Sequence, residues 1–486
     1  QGGFQEVEQM NLFKDMVCYQ EEVRDPSRMA EVLNRVIEKA FRGSAPAQIN
    51  VPRDYWTQVI DIELPPIVRF ERQGGGKEAI EKAAKLLSDA KFPVILSGAG
   101  VVIGNAIDEC KKLAEKLDAP VCNGYQHNDS FPGSHPLAVG PLGYNGSKAG
   151  MELISKADVV LALGTRLNPF STLPGYGIDY WPKDATIIQV DMNPDRIGLT
   201  KKVTVGICGD AKMVSQQILE KLSSTAGDNG RDERKNIIHQ TKSAWLQTLT
   251  SLDHEDDDPG TVWNKEARER DNDRMSPRQA WRAIQAGMPE DVIISSDIGN
   301  NCAIGNAYPT FEKGRKYLAP GLFGPCGYGF PSILGAKIGC PDTPVIGFAG
   351  DGAFGISMNE MSSCAREEWP AITMVIFRNY QWGAEKRNSI LWFDDNFIGT
   401  ELDPELSYAK VANACGLKGV AVKTMEETTL AIKQSCEDQK KGITTFIEVI
   451  LNQELGEPFR RDAMKKPVEV AGIEKGDMKP QKSLVG

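Results

Sequence analysis

Long apolar runs are missing from this sequence. No part of its 486 residues approaches the ~18 consecutive apolar residues of a membrane-spanning helix, so no such helix is expected. An excess of positive charge is missing too. Lys and Arg number 56 against 66 Asp and Glu, and the net charge of −10 argues against a general nucleic-acid binder. Paired cysteines are absent: the 10 present are scattered, with no C-x-x-C pair. In a chain this long they read as reduced thiols of a cytosolic protein and not as a disulfide framework. The start, Gln1-Gly2-Gly3, shows neither an initiator Met nor a signal-peptide pattern. What remains is ordinary, 41% hydrophobic and 25% charged, in a length that suits two or three domains.

The most informative stretch runs from Val345 to Gln381. Two apolar, β-branched runs, 345–349 and 372–377, predict buried parallel strands. Between them an amphipathic segment, 357–368, carries Met358, Met361 and Cys364 at helical spacing, completing a βαβ unit. Asp351 follows the first strand and Asn379 the second. Ligands of open α/β sheets collect at the carboxyl ends of strands, so these two oxygens can converge. A carboxylate with an amide carbonyl suits Mg²⁺, which takes its remaining ligands from phosphates. Gly350 and Gly352 allow a tight turn and a close approach to a phosphate.

Gly350-Asp351-Gly352, then 26 residues (353–378), then Asn379 resemble the signature of the thiamine-diphosphate enzymes, and in detail those related to acetolactate synthase. The resemblance extends over essentially the whole chain. It implies three α/β domains of doubly wound, mostly parallel sheets. It implies Mg²⁺ held by Asp351, Asn379 and the main-chain oxygen of Gln381, with Gly350, Gly352, Ala353 and Asn379 beside thiamine diphosphate. Where the family often shows Asn-Asn, this chain has Arg378-Asn379.

Residues 1–64 hold one helix, 26–41, and one strand, 47–51, too little for an independent core. They resemble the last part of the family's pyrimidine-binding domain, with Phe4-Gln5-Glu6 matching a stretch near the active site and Gln5 a candidate substrate contact. The first domain is therefore expected to be incomplete and the chain N-terminally truncated. The glutamate that activates the cofactor in the family matches no position here, so no catalytic residue can be named. Residues 60–76 read as a linker. Residues 77–222 alternate strands and helices as a doubly wound central domain. There Gly98-Ala99-Gly100 with Gly104 gives G-x-G-x-x-x-G, one residue too long for a dinucleotide fingerprint. Residues 223–275 read as a polar connection with one helix, 235–249, and an acidic run, 253–258.

The third domain, 276–451, is expected to bind the diphosphate and Mg²⁺, and 452–486 to form a tail. The turn after strand 292–295 places Gly299, Asn300 and Asn301 where the family touches the diphosphate. The segment of Gly324 and Cys326 matches the part that cups the aminopyrimidine, with Cys326 in the place of a larger apolar wedge. The resemblance further implies conversion of sulfoacetaldehyde and phosphate to acetyl phosphate and sulfite through a cofactor-bound acetyl group, as in taurine and sulfonate degradation. An acetolactate-synthase-like carboligase, a 2-oxo-acid decarboxylase, or a catalytically incomplete cofactor-binding fragment are the alternatives. Both substrates are anions, which points to Arg378, Lys386 and Arg387 as their donors, with Trp382 lining the pocket. Asn388 replaces a family Trp, which would suit a polar acceptor. A homodimer or homotetramer is implied.

Overall fold

Apolar, β-branched runs closed by polar turns become parallel strands buried on both faces, and this chain repeats that pattern in two sheets. The structure, a computed structural model, describes residues 3, 6–66, 71–251, 266, 267, 269–321, 323–366, 368–392 and 397–454. The chain divides into two compact units, 1–72 and 73–486.

In the first unit, β1 (Tyr19–Glu22) pairs in parallel with β2 (Ala47–Asn50). The run Tyr-Gln-Glu-Glu is too polar to announce itself as a strand, so only β2 was legible from sequence. The helix Met29–Gly43 closes a small core through Val32 and Val36 onto Val23. Leu33 and Ile37, apolar residues of the same helix, are 43% and 46% exposed.

The second unit contains two six-stranded parallel sheets. The first orders its strands β5-β4-β3-β6-β7-β8: β3 (Pro93–Ser97), β4 (Val121–Asn123), β5 (Ala138–Pro141), β6 (Val159–Leu163), β7 (Thr186–Asp191) and β8 (Val205–Cys208). Strand order reverses between β3 and β6, where a nucleotide would bind in a doubly wound sheet. Here the chain itself fills that crevice. The Gly100 N–H donates to Gly164 O at 2.8 Å, and a Cβ on Gly98 would lie 2.6 Å from the same oxygen. These glycines serve the packing of one turn on another.

The second sheet runs β10-β9-β11-β12-β14-β13: β9 (Ile293–Ser296), β10 (Tyr317–Leu318), β11 (Val345–Gly350), β12 (Thr373–Arg378), β13 (Lys418–Val422) and β14 (Thr445–Ile450). Its reversal lies between β9 and β11. After β11 the helix starts at once, Asp351–Ser357, then passes through a 3-10 turn into Met361–Cys364. The expected helix, 357–368, was placed too late. Two glycines in Asp-Gly-Ala-Phe-Gly lower helix propensity, but Asp351 in the first turn suits the positive end of the helix.

The two sheets are fastened by polar side chains. Asn306 accepts from the Gln126 N–H (3.2 Å) and donates to Tyr144 O (3.1 Å), while Asn128 donates to Asn306 O (3.0 Å) and Pro309 O (2.8 Å). Asp129 accepts the N–H groups of Lys316 and Tyr317 at the start of β10. The helix Arg231–Ser251, longer than the expected 235–249, is tied down by Arg234. The acidic run 253–258 and the tail from 455 lie outside the described residues, and among the described residues no helix is long and apolar enough to cross a membrane.

Arg234 is buried and spends its N–H groups on the carbonyls of Leu117, Asp118, Lys91, Gly227 and Asn229. Arg234→Met leaves these acceptors unpaired and removes a buried, fully bonded charge, at about 3–5 kcal/mol. The expected result is a thermal midpoint lower by roughly 5–10 °C in differential scanning fluorimetry, with Arg234→Lys intermediate.

Candidate active site

The carboxyl ends of β9, β11 and β12 open on one cavity of about 230 Å³. Register makes this possible. Gly350 pairs with Phe377 across β11 and β12, so Asp351 and Asn379 emerge on neighbouring strand tips. Both line the cavity, as do Gly299, Asn300 and Asn301 after β9, Gly324 and Cys326, Gly350, Gly352, Ala353, Gln381 and Trp382. Sequence reasoning missed Cys302, Gly383, Ala384 and Glu385, which line it too.

Asp351 is buried at the first residue of its helix. Its Oδ2 accepts from Arg378 (3.1 Å) and from the Tyr380 N–H (2.6 Å), and its Oδ1 from the Gly352 N–H (3.0 Å). Burial pushes the carboxyl up to about 6 against the opposing pull of Arg378 and those N–H groups. Arg378 in turn is engaged elsewhere. It donates to Leu406 O (2.9 Å), its Nε lies 3.6 Å from Glu448, and its guanidinium stacks 4.2 Å from the Tyr380 ring centre. Glu448 also accepts from Ser407 (2.6 Å) and the Ala409 N–H (3.1 Å), closing the network onto the next helix.

Several oxygens at the cavity await a partner. Asn379 Oδ1, Gln381 Oε1 and Asn301 Oδ1 are buried with no hydrogen-bond donor among the described residues. Gln381 forms an antiparallel bridge with Glu401, but its neighbours make both bonds: Trp382 N–H to Thr400 O (2.7 Å) and Leu402 N–H to Tyr380 O (2.9 Å). Among the described residues no backbone hydrogen bond takes the Gln381 carbonyl oxygen. A carboxylate, an amide oxygen and a main-chain carbonyl form a hard, all-oxygen set that fits Mg²⁺ with further ligands from a phosphate. Among the described residues no group of three or more His, Cys, Asp and Glu side chains could hold a metal alone. Buried amide oxygens without donors are costly unless something binds them.

The opposite wall is organised by Asp297, whose role sequence did not reveal. Its carboxylate accepts the N–H groups of Ile298 (2.8 Å), Gly327 (3.1 Å) and Gly329 (2.7 Å), pinning the Gly324–Cys326 segment over the cavity. Asn301 is fixed from behind by Trp281, which donates to its main-chain oxygen at 2.6 Å. Gly299 holds φ of 120°, open only to glycine without strain. A Cβ on Gly352 would lie 2.8 Å from the Trp382 ring, so the indole packs flat against that turn.

The expected anion donors are not delivered to the cavity. Arg378 is a buried strut and does not line it; its neighbours in sequence are apolar strand residues and a metal-type Asn, so its partners were invisible until β14 was in place. Lys386 is buried and paired with Glu401, and Arg387 is buried without lining the cavity. Gln5 and the side chain of Asn388 lie outside the described residues.

Comparisons with known proteins agree with this geometry. Residues 80–222 match the family described as thiamine pyrophosphate enzyme, central domain, and residues 297–449 the C-terminal TPP binding domain. A probable sulfoacetaldehyde acetyltransferase of Rhizobium meliloti (strain 1021) is 78% identical over 484 residues, 100% of this chain and 82% of the relative. A sulfoacetaldehyde acetyltransferase of Roseovarius nubinhibens is 75% identical over 99% of this chain and 80% of its own length. The chain spans about four fifths of the length of these relatives. A crystal structure of benzoylformate decarboxylase from Polynucleobacter necessarius superposes with a TM-score of 0.72 at 19% identity, covering 92% of this chain and 78% of that one, and so shares the fold.

Arg378 offers a direct test of the strut. Arg378→Met strands Asp351 and Glu448 in the interior at about 3–5 kcal/mol. The thermal midpoint of protein without ligand should fall by several degrees. An unchanged midpoint with only weakened substrate binding would make Arg378 a substrate donor instead.

Proposed function

This chain belongs to the thiamine pyrophosphate enzymes, and on that premise we propose that it is a sulfoacetaldehyde acetyltransferase, forming acetyl phosphate and sulfite from sulfoacetaldehyde and phosphate. The observation that carries this reading is the end-to-end identity with relatives of that name; the cavity supplies the means. Asp351, Asn379 and the Gln381 carbonyl would hold Mg²⁺. The glycine turns at 299 and 352, with Asn300, Asn301 and Ala353, would receive the diphosphate. Gly324 and Cys326 would wall the pyrimidine. When bound, thiamine diphosphate supplies the carbon nucleophile that activates the aldehyde.

Charge supports the metal. Among the described residues that line the cavity there is no Lys, Arg or His, while Asp351 and Glu385 are both acidic. A diphosphate could not enter such a hollow without a divalent cation to neutralise it. Asp351, already bonded on both oxygens, is held rigid for that cation, so the protein contributes position and pre-arranged dipoles. A homodimer or homotetramer acting in the cytoplasm, in taurine or sulfonate degradation, completes the proposal.

Purified protein given thiamine diphosphate, Mg²⁺, sulfoacetaldehyde and phosphate should release sulfite and acetyl phosphate in equal amounts. Pyruvate in place of sulfoacetaldehyde should yield neither carbon dioxide nor a ketol; the reverse pattern would make the protein a carboligase or decarboxylase. Chelation of Mg²⁺ and Asp351→Asn should each abolish turnover and the thermal shift that cofactor plus Mg²⁺ produces.

A further inference from the structure

One side chain in the cavity has no part in holding a metal or a diphosphate. Glu385 stands in the first turn of the helix Gly383–Trp392 and lines the same hollow as Asp351 and Asn379. Its main-chain oxygen accepts from Ser389 at 3.1 Å, but its carboxylate has no hydrogen-bond or ion-pair partner among the described residues. Lys386, the next residue, turns instead to Glu401. Glu385 lies within electrostatic reach of Cys326, whose thiol is pushed up by burial and then by the charges of Asp297 and Glu385. It therefore sits by the Gly324–Cys326 wall of the cavity.

The proposed reaction makes a demand that cofactor binding does not meet. Sulfoacetaldehyde carries one hydrogen on its aldehyde carbon and two on the carbon that bears the sulfonate. Acetyl phosphate carries none on the first and three on the second. The C–H bond at the activated aldehyde carbon must break, its electrons staying behind as a carbon–carbon double bond. The C–S bond must break with its pair leaving on sulfite. A proton must then reach the former sulfonate carbon, and a phosphate oxygen takes the acyl carbon. Oxidation of one carbon is matched by reduction of the other, so no outside oxidant enters. A base is needed first and an acid second.

Few described groups in the cavity could serve. Asp351 accepts three N–H bonds and belongs to the metal set. Burial holds the Cys302 thiol protonated, and the Cys326 thiol is likewise disfavoured as a base. No His, Lys or Tyr lines the cavity among the described residues. Resting on the acetyltransferase reading, we infer that Glu385 is a catalytic residue, the carboxylate that takes the proton from the aldehyde carbon and, as the acid so formed, returns a proton to the carbon that loses sulfite. Sign favours it in this role. Protonated Glu385 is neutral at the moment an anion leaves beside it, so no like charge opposes that departure.

Glu385→Gln keeps size and hydrogen bonding but cannot accept the proton. Sulfite release should fall 10²–10⁴-fold, the usual worth of a positioned general base. Thiamine diphosphate with Mg²⁺ should bind within about twofold of wild type, read from Trp fluorescence or thermal shift. Deuterium on the aldehyde carbon should slow sulfite release more in Glu385→Asp than in wild type, because poorer placement of the base makes C–H cleavage limiting. A Glu385→Gln enzyme that keeps a tenth or more of its turnover, or that loses cofactor affinity more than tenfold, overturns the inference. Wild-type protein that makes no sulfite at all overturns the acetyltransferase reading itself, a separable outcome.

Discussion

The buried contact between Arg378 and Asp351 is what the rest of the site depends on. A carboxylate taken from water is costly, and the guanidinium beside it makes its burial tolerable. Because Arg378 ends β12 and Asp351 follows β11, the contact also locks the register of the two strands whose tips carry the cavity. The same guanidinium reaches Glu448 on β14 and the carbonyl of Leu406, so three neighbouring strands and a loop share one charged anchor. The oxygens at this strand edge are thus held still by a residue that does not itself line the cavity.

Much of this could be read from the residues. The runs 345–349 and 372–377, with Asp351 and Asn379 at their ends, marked the site because hydrophobic patterning and strand-end position are local properties. Strands 345–350 and 373–378 fell where expected for the same reason. Where reasoning failed, the missing information was non-local. Arg378, Lys386 and Arg387 looked like anion donors because a cation near a metal strand resembles one. Arg378 is engaged by Glu448 and Leu406 and Lys386 by Glu401, none of them near in sequence, and Arg387 is buried without lining the cavity. Asp297 looked like part of a turn; only the fold brings the 327–329 backbone to its carboxylate. The polar β1 and the two-residue β10 lacked any patterning to find.

The two sheets of the larger unit show how one topology can be put to different uses. Each reverses strand order beside its first strand, and each therefore has a crevice at the same place. In the second sheet the crevice is lined by Gly299, Asn301, Asp351 and Asn379 and stays open. In the first it is closed by Gly98, Gly100 and Gly164 lying against one another. Glycine is the agent in both, in one case leaving a hollow open and in the other letting the chain close it.

The closed sheet is not idle. Its loops grip Asn306 and the start of β10, and Asn306 lies only one turn beyond the helix Asn300–Ile304 that lines the open crevice. The floor of the pocket is thus clamped at its far end by the loops of the first sheet. Loosening at the rim of the first sheet, by heat or by a remote substitution, reaches the second sheet's pocket as a slack hinge before any strand there has lost its pairing.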